Sequence, residues 1–172
     1  PAVVGAATAD RVVLEEGAHL FVHGTLQVQS IEGLAQVSGT GTLNFSGGEG
    51  SGKGKHVVLL AGDEEYRSEE GMPVLAKMLA EKHGFETTVL FSADEDGTIN
   101  PAATTSLMGA EALDKADALV MLIRFRNWND ETMGKFKAAM MGEKERVGPA
   151  TQMQRDLIQH CQIIIRTSDL KL

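Results

Sequence analysis

The fold is decided by the stretch Lys55–Phe91, KHVVLLAGDEEYRSEEGMPVLAKMLAEKHGFETTVLF. Its apolar run Val57–Ala61 has the length and the branched side chains of a buried strand. Apolar residues then recur at helical spacing within Glu69–His83, and Gly84 is a suitable C-cap. A second strand-like run follows at Thr87–Phe91. The order strand, loop, helix, strand predicts a βαβ unit, and such units build parallel sheets.

A charged loop, Asp63–Ser68, follows the first of these strands. In open parallel sheets, ligands bind at the carboxyl ends of the strands. We therefore expect any chemistry of this chain to lie at that loop.

Composition excludes several classes of function. The 172 residues carry a formal net charge of −8, whereas nucleic-acid binding needs a concentrated basic face. The longest apolar runs are far shorter than the ~20 residues that span a bilayer, so no membrane span is predicted. The single cysteine, Cys161, excludes an internal disulfide. No signal peptide is visible, but the sequence starts at Pro1 without a methionine, so earlier processing and the localisation are both left open.

Residues 1–46 differ in character from the rest of the chain. Short alternating runs are separated by glycines, a pattern that predicts a Gly-rich all-β segment. The phrases HGTLQVQ (residues 23–29) and VSGTGTLNFSGG (residues 37–48) resemble the rungs of β-solenoid surface proteins. A small β appendage and a set of such rungs both remain open.

The next segment, residues 47–55, reads GGEGSGKGK and predicts a flexible linker. It nearly matches a phosphate-binding loop. However, Gly54 stands where a Ser or Thr must bind magnesium, and a predicted strand follows where a helix is required.

The best single strand of the chain is Ala116–Ile123, whose continuous hydrophobicity is typical of a central parallel strand. Arg124 and Arg126 follow its carboxyl end, either as solvated rim residues or as part of a site. Another buried-strand pattern lies at Cys161–Arg166.

Three phrases resemble the ThuA-like (trehalose-utilisation) domain, a relative of class I glutamine amidotransferases: the Lys55–Phe91 stretch, INP at residues 99–101, and ADALVMLIRFRNWNDETM at residues 116–133. IIIRTS at residues 163–168 resembles the family's next strand more weakly. The resemblance implies an α/β, flavodoxin-like parallel sheet with flanking helices over residues 56–172, and a role in carbohydrate metabolism. The family's later strands do not follow, so the domain reads as truncated. Cys161 is not at a strand-to-helix elbow, so amide transfer is not predicted.

If the strands ending at Ala61, Ile123 and Ile165 are neighbours, their carboxyl ends form one crevice. Carboxylates beside guanidinium groups suit a polyhydroxylated ligand, so we predict a small-molecule carbohydrate as partner, with no metal and no cofactor. Glu65 would carry a proton and Arg124 would stabilise negative charge. The predicted catalytic residues are Asp63 and Glu65, and the predicted ligand-binding residues are Tyr66, Arg67, Arg124, Arg126, Arg166 and Thr167.

Two alternatives stay open. Acids before a helix, including Glu69 and Glu70, are also favoured simply by the helix dipole. The whole chain could instead be a structural protein whose N-terminal β segment pairs through its strand edges into a homo-oligomer. The sequence does not decide whether the protein is an enzyme.

Overall fold

The structure is a computed structural model, and it describes the backbone of residues 2–4, 7–13, 19–32, 36–141 and 164–167 and the side chains of residues 25–28 and 41–140. Two α-helices lie in these ranges, α1 (Ser68–His83) and α2 (Asp130–Met141), with a 3-10 helix at Ala110–Lys115. The strands are β1 (Ala2–Val4), β2 (Ala7–Val13), β3 (His19–Glu32), β4 (Gln36–Phe45), β5 (His56–Gly62), β6 (Glu86–Ala93), β7 (Ser106–Leu107), β8 (Ala118–Ile123) and β9 (Ile164–Thr167).

The predicted βαβ unit is confirmed as β5–α1–β6, and the fold is a mixed α/β fold with parallel strand pairs and helices. Strand β5 lies between β6 and β8 and is parallel to both, with Leu59 opposite Val89 on one side and Val120 on the other. The carboxyl ends of β5 and β8 therefore share one edge of the sheet. This is the edge at which the sequence predicts the site.

The direction of β9 differs from the expectation. It pairs with β8 in the antiparallel sense, and Thr167 lies opposite Ala118 while Ile164 lies opposite Met121. Its carboxyl end is thus at the opposite edge of the sheet from Arg124. The expectation that three carboxyl ends form one crevice is wrong for this strand.

Both faces of the central strands are buried because their side chains alternate between two apolar clusters. Val57, Leu59 and Ala61 pack with α1 on one face of the sheet. Val58 and Leu60 pack on the other face, with α2 and the 3-10 helix. This two-sided burial explains why the strands are almost continuously hydrophobic.

The N-terminal strands belong to the same sheet. Strand β4 pairs antiparallel with β6, and Leu43 lies opposite Val89. The buried side chains Leu26, Leu43 and Phe45 share the cluster of α1. The core therefore continues across the predicted boundary at residue 46.

Strands β1 to β4 pair in parallel with a nearly constant step. Ala2 lies opposite Leu20, Ala7 opposite Leu26, and His19 opposite Gln36. Partners are therefore 17 to 19 residues apart in the chain. A side-chain hydrogen bond also links β3 to the residue after β4, since Gln27 Nε2 donates to Ser46 Oγ at 2.7 Å.

Residues 47–55, the predicted linker, include turns that contact the end of α1. The backbone N–H of Gly52 donates to His83 O at 2.8 Å, and that of Glu86 donates to Lys55 O at 2.9 Å. A Cβ on Gly52 would lie 2.4 Å from the Phe85 ring. The glycines here allow close packing against the helix end.

Candidate functional site

Asp63 organises the loop between β5 and α1. Its side chain is fully buried, and Oδ1 accepts hydrogen bonds from the backbone N–H groups of Glu65 (3.1 Å) and Tyr66 (3.2 Å). The backbone N–H of Asp63 donates to Ser68 Oγ at 2.8 Å, and that of Ser68 donates back to Asp63 O at 3.1 Å. These bonds fix the loop where β5 ends and α1 begins, so Asp63 positions the acids that follow it.

Arg124 joins this loop to the carboxyl end of β8. Its guanidinium donates to Glu65 Oε2 through Nη1 and to Glu64 Oε1 through Nη2, the latter at 2.8 Å. Nη2 also lies 3.9 Å from Asp63 Oδ1. The structure thus brings together three residues that the sequence nominates, Asp63, Glu65 and Arg124. We call these three residues and Glu64 the acid–arginine cluster.

The charges of this cluster act on each other. The backbone N–H of Glu64 and, after it, the Arg124 guanidinium hold the pKa of the Glu64 carboxyl below its ordinary value. The hydrogen bonds to Glu65 and Glu64 raise the pKa of Arg124. Both effects keep the groups ionised, so the cluster presents fixed charges to a ligand.

Arg126 has a different environment. Only 1% of it is exposed, and its Nη1 donates to Ser92 Oγ (2.9 Å), to Pro101 O (3.2 Å) and to Ala103 O. Its Nε donates to Arg124 O. These bonds tie the chain after β6 to the chain after β8. Its Nη2 also lies 3.8 Å from Glu64 Oε2, so Arg126 contacts the cluster from its buried side.

Tyr66 and Arg67 lie at the exposed outer side of the loop. Tyr66 is 54% exposed. Arg67 has a left-handed backbone conformation, with φ of 51°, and its guanidinium pairs with Glu70. The two residues are next to the cluster in the chain, but Arg67 pairs with Glu70 instead and Tyr66 is turned to solvent.

Three buried polar atoms near the site have no hydrogen-bond partner in the structure: Asp63 Oδ2, Glu69 Oε2 and Arg124 Nε. Glu69, for which the sequence indicates only a place in the first turn of the helix, is partly buried. Burial is the largest cause that raises the pKa of its carboxyl, and the charges of Glu70 and Asp63 act in the same direction. A buried atom without a partner costs free energy, so such atoms are expected where a ligand binds.

Phe125 stands beside the cluster and was not nominated from the sequence. It is 48% exposed, its φ is 56°, and the Arg124 guanidinium carbon lies 4.9 Å from the centre of its ring. Its place in the sequence is the signal that could have identified it. It lies between Arg124 and Arg126 at the end of a strand, where an aromatic side chain is accessible to ligands.

The remaining two nominated residues lie elsewhere. In β9, Arg166 is opposite Leu119 and Thr167 is opposite Ala118, near the amino end of β8. The expectation that they face Arg124 is therefore wrong, because the strand runs antiparallel.

The described residues hold neither a group of metal ligands nor a membrane-spanning helix. Within that part of the chain, no group of three His, Cys, Asp or Glu side chains is arranged to hold a metal ion. No helix there is long and apolar enough to cross a membrane.

Comparison with protein families, with curated proteins and with solved structures finds no match to this chain. The function is therefore inferred from the geometry of the site.

Proposed function

We propose that this chain is a ThuA-like carbohydrate-metabolism domain with a flavodoxin-like sheet, and that it binds or processes a sugar at the carboxyl ends of β5 and β8. The observation that supports this most is the contact of Arg124 with both Glu64 and Glu65. The guanidinium N–H groups of Arg124 are hydrogen-bond donors, and the carboxylates beside them are acceptors. Together they complement sugar hydroxyl groups, each of which can donate and accept.

Burial and charge favour the same ligand class. Asp63 Oδ2 and Arg124 Nε are buried without partners, one as an acceptor and one as a donor. A neutral polyol offers both the donor and the acceptor that a site with such atoms lacks. A phosphate or carboxylate would meet three carboxylates of the cluster, whose repulsion opposes anion binding.

Calorimetric titration with trehalose tests this proposal. We expect the intact chain to bind, and Arg124→Ala to weaken binding at least about tenfold, since charge-assisted hydrogen bonds are each worth about 1.5–3 kcal/mol. Arg124→Lys keeps the charge and loses the fork, so its affinity should be intermediate. Lys53→Ala removes an exposed cation paired with Glu49 and serves as the control. Absence of heat with the intact chain, or equal binding by Arg124→Ala, would refute the proposal.

The second candidate function is self-assembly through the N-terminal strands. The nearly constant step of 17 to 19 residues between paired strands is typical of stacked rungs, and among the described strands β1 and β2 both pair with β3 at one end of the sheet. An exposed strand edge is a template for another copy.

Light scattering on a size-exclusion column tests this candidate. If β2 forms the contact, the intact chain elutes as large particles, and Thr8→Lys, a charge placed in that strand, reduces them to monomers. A monomeric intact chain rejects self-assembly.

A further inference from the structure

We propose that Phe125 is the platform on which the ring of a cyclic sugar stacks, while the acid–arginine cluster binds the hydroxyl groups of the same ring. This inference rests on the proposed function and adds the shape of the ligand. The ligand is a pyranose with an apolar C–H face, rather than any polyol.

The backbone of Phe125 is held in a conformation that a bulky residue rarely adopts. Its φ of 56° lies in the left-handed region, which costs free energy for a side chain with a Cβ. Its neighbours hold it from both sides. The backbone N–H of Arg124 donates to Gly62 O at 3.1 Å, and Arg126 is anchored in the interior by its bonds to Ser92 and Ala103.

This conformation places the ring in solvent. Single exposed apolar side chains are ordinary, but an aromatic ring held in water by an unfavourable backbone conformation contributes little to the core. Such strain collects at ligand-binding positions. Arg67, the other non-glycine residue with positive φ in the described chain, lies in the facing loop of the same site.

The ring and the cluster form a continuous surface. The Arg124 guanidinium carbon is 4.9 Å from the ring centre, and the same guanidinium bonds Glu64 and Glu65. Phe125 is 48% exposed although the cation lies over its ring. A sugar at the exposed part of the ring therefore lies beside the same guanidinium that pairs with the cluster.

The chemistry of a pyranose fits both the aromatic ring of Phe125 and the charged groups of the cluster. The electron-rich face of an aromatic ring attracts the slightly positive hydrogen atoms on one side of a sugar ring. Hydroxyl groups at the rim of that sugar then bond the exposed carboxylates of Glu64 and Glu65 and the guanidinium of Arg124 that pairs with them. A linear polyol supplies the hydroxyl groups but not the flat face.

Ligand-observed NMR with trehalose and mannitol tests the inference, because one probe has pyranose rings and the other is linear. The variants are Phe125→Leu, which keeps an apolar side chain without a π face, Phe125→Trp, which keeps the π face, and Arg124→Ala. We expect Phe125→Leu to weaken trehalose binding about 3- to 10-fold and to leave mannitol binding unchanged. Phe125→Trp should retain trehalose binding, and Arg124→Ala should weaken both ligands.

Each outcome decides a separate claim. If Phe125→Leu binds trehalose as tightly as the intact chain while Arg124→Ala does not, the platform is refuted and the proposed function stands. If the intact chain binds neither ligand, the proposed function fails, and the platform fails with it. If Phe125→Leu loses both ligands equally, the residue holds the loop and does not stack. Thermal melting of each variant shows whether it is folded.

Discussion

Two arginines that are two residues apart differ in what they do. Arg124 is partly exposed and bonds Glu64 and Glu65, whereas Arg126 is buried and bonds the backbone after β6. In sequence the two side chains look equivalent. Under the proposed function, these environments favour ligand binding by Arg124 and a structural role for Arg126.

Replacement of each arginine by methionine should separate these roles. Arg126→Met leaves buried acceptors at Ser92, Pro101 and Ala103 without a donor, so we expect it to lower the free energy of unfolding by about 2–4 kcal/mol. Arg124→Met should leave stability nearly unchanged and remove ligand binding. Urea unfolding, followed by the fluorescence of the buried Trp128, measures the first effect. Equal stability of the two variants would contradict the assignment.

Glu69 should make stability depend on pH. Because burial raises the pKa of its carboxyl in the folded state above the ordinary value of 4.5, the folded protein holds this proton more tightly than the unfolded chain. Its contribution is therefore fully present below pH 4.5 and is lost as the pH rises through the folded-state pKa.

Glu69→Gln removes that ionisation. We expect the variant to be more stable than the intact chain at pH 7, by about 0.5 kcal/mol, and the difference to shrink toward pH 4. The matched control is Glu70→Gln, because the neighbouring Glu70 forms an ion pair with Arg67 in the intact chain. Thermal melts from pH 4 to pH 8 measure the effect. A constant difference between Glu69→Gln and the intact chain would show that ionisation is not its cause.

At the scale of elements, the end of α1 depends on Gly84. Its φ is 79°, and its N–H and that of Phe85 bond Ala80 O and Leu79 O, which closes the helix. A Cβ there would also lie 2.9 Å from the backbone of residues 48–50. This packing links α1 to the turns that lead into β5.

Two glycine substitutions in and after α1 should have opposite effects. Gly84→Ala should destabilise the protein by at least about 1 kcal/mol, since both conformation and space oppose the methyl group. Gly71→Ala lies inside the helix, where a Cβ would meet nothing within 4 Å, and it should stabilise by about 0.5–1 kcal/mol. Chemical denaturation of the pair measures both changes. A stabilising Gly84→Ala would contradict the described helix end.

Local sequence predicts the central unit well and the sheet's edges poorly. The spacing in Lys55–Phe91 gives β5, α1 and β6, and the rule for carboxyl ends brings Asp63 to Arg124. A short apolar run does not encode the direction of its strand. The sequence therefore does not predict that β9 is antiparallel to β8, which puts Arg166 and Thr167 at the other edge of the sheet from Arg124. The burial of Arg126 depends on carbonyl groups more than twenty residues away.

At the scale of the whole molecule, the described chain shares one core across its N-terminal and α/β parts. Phe45 is fully buried in the cluster that holds Val57, Leu59 and α1, although it precedes the glycine-rich segment. The buried side chains on either side of the glycine-rich segment therefore share one cluster.

Phe45→Ala should therefore destabilise the α/β part as well. We expect a loss of about 3–5 kcal/mol in one cooperative transition, because the cavity opens in the shared core. Val74→Ala, at an exposed position of α1, is the control and should cost little. Circular dichroism and Trp128 fluorescence should report the same midpoint. An unchanged fluorescence transition in Phe45→Ala would show that the two parts unfold independently.

The central claim is that the acid–arginine cluster binds a sugar. The most direct measurement records the ¹H–¹⁵N NMR resonance of Arg124 Nε–H during titration with trehalose. Arg124→Lys assigns the resonance by removing it. The account predicts that the Arg124 resonance shifts and saturates, while that of the buried Arg126 changes little. A spectrum in which Arg124 does not move at high sugar concentration would contradict the claim.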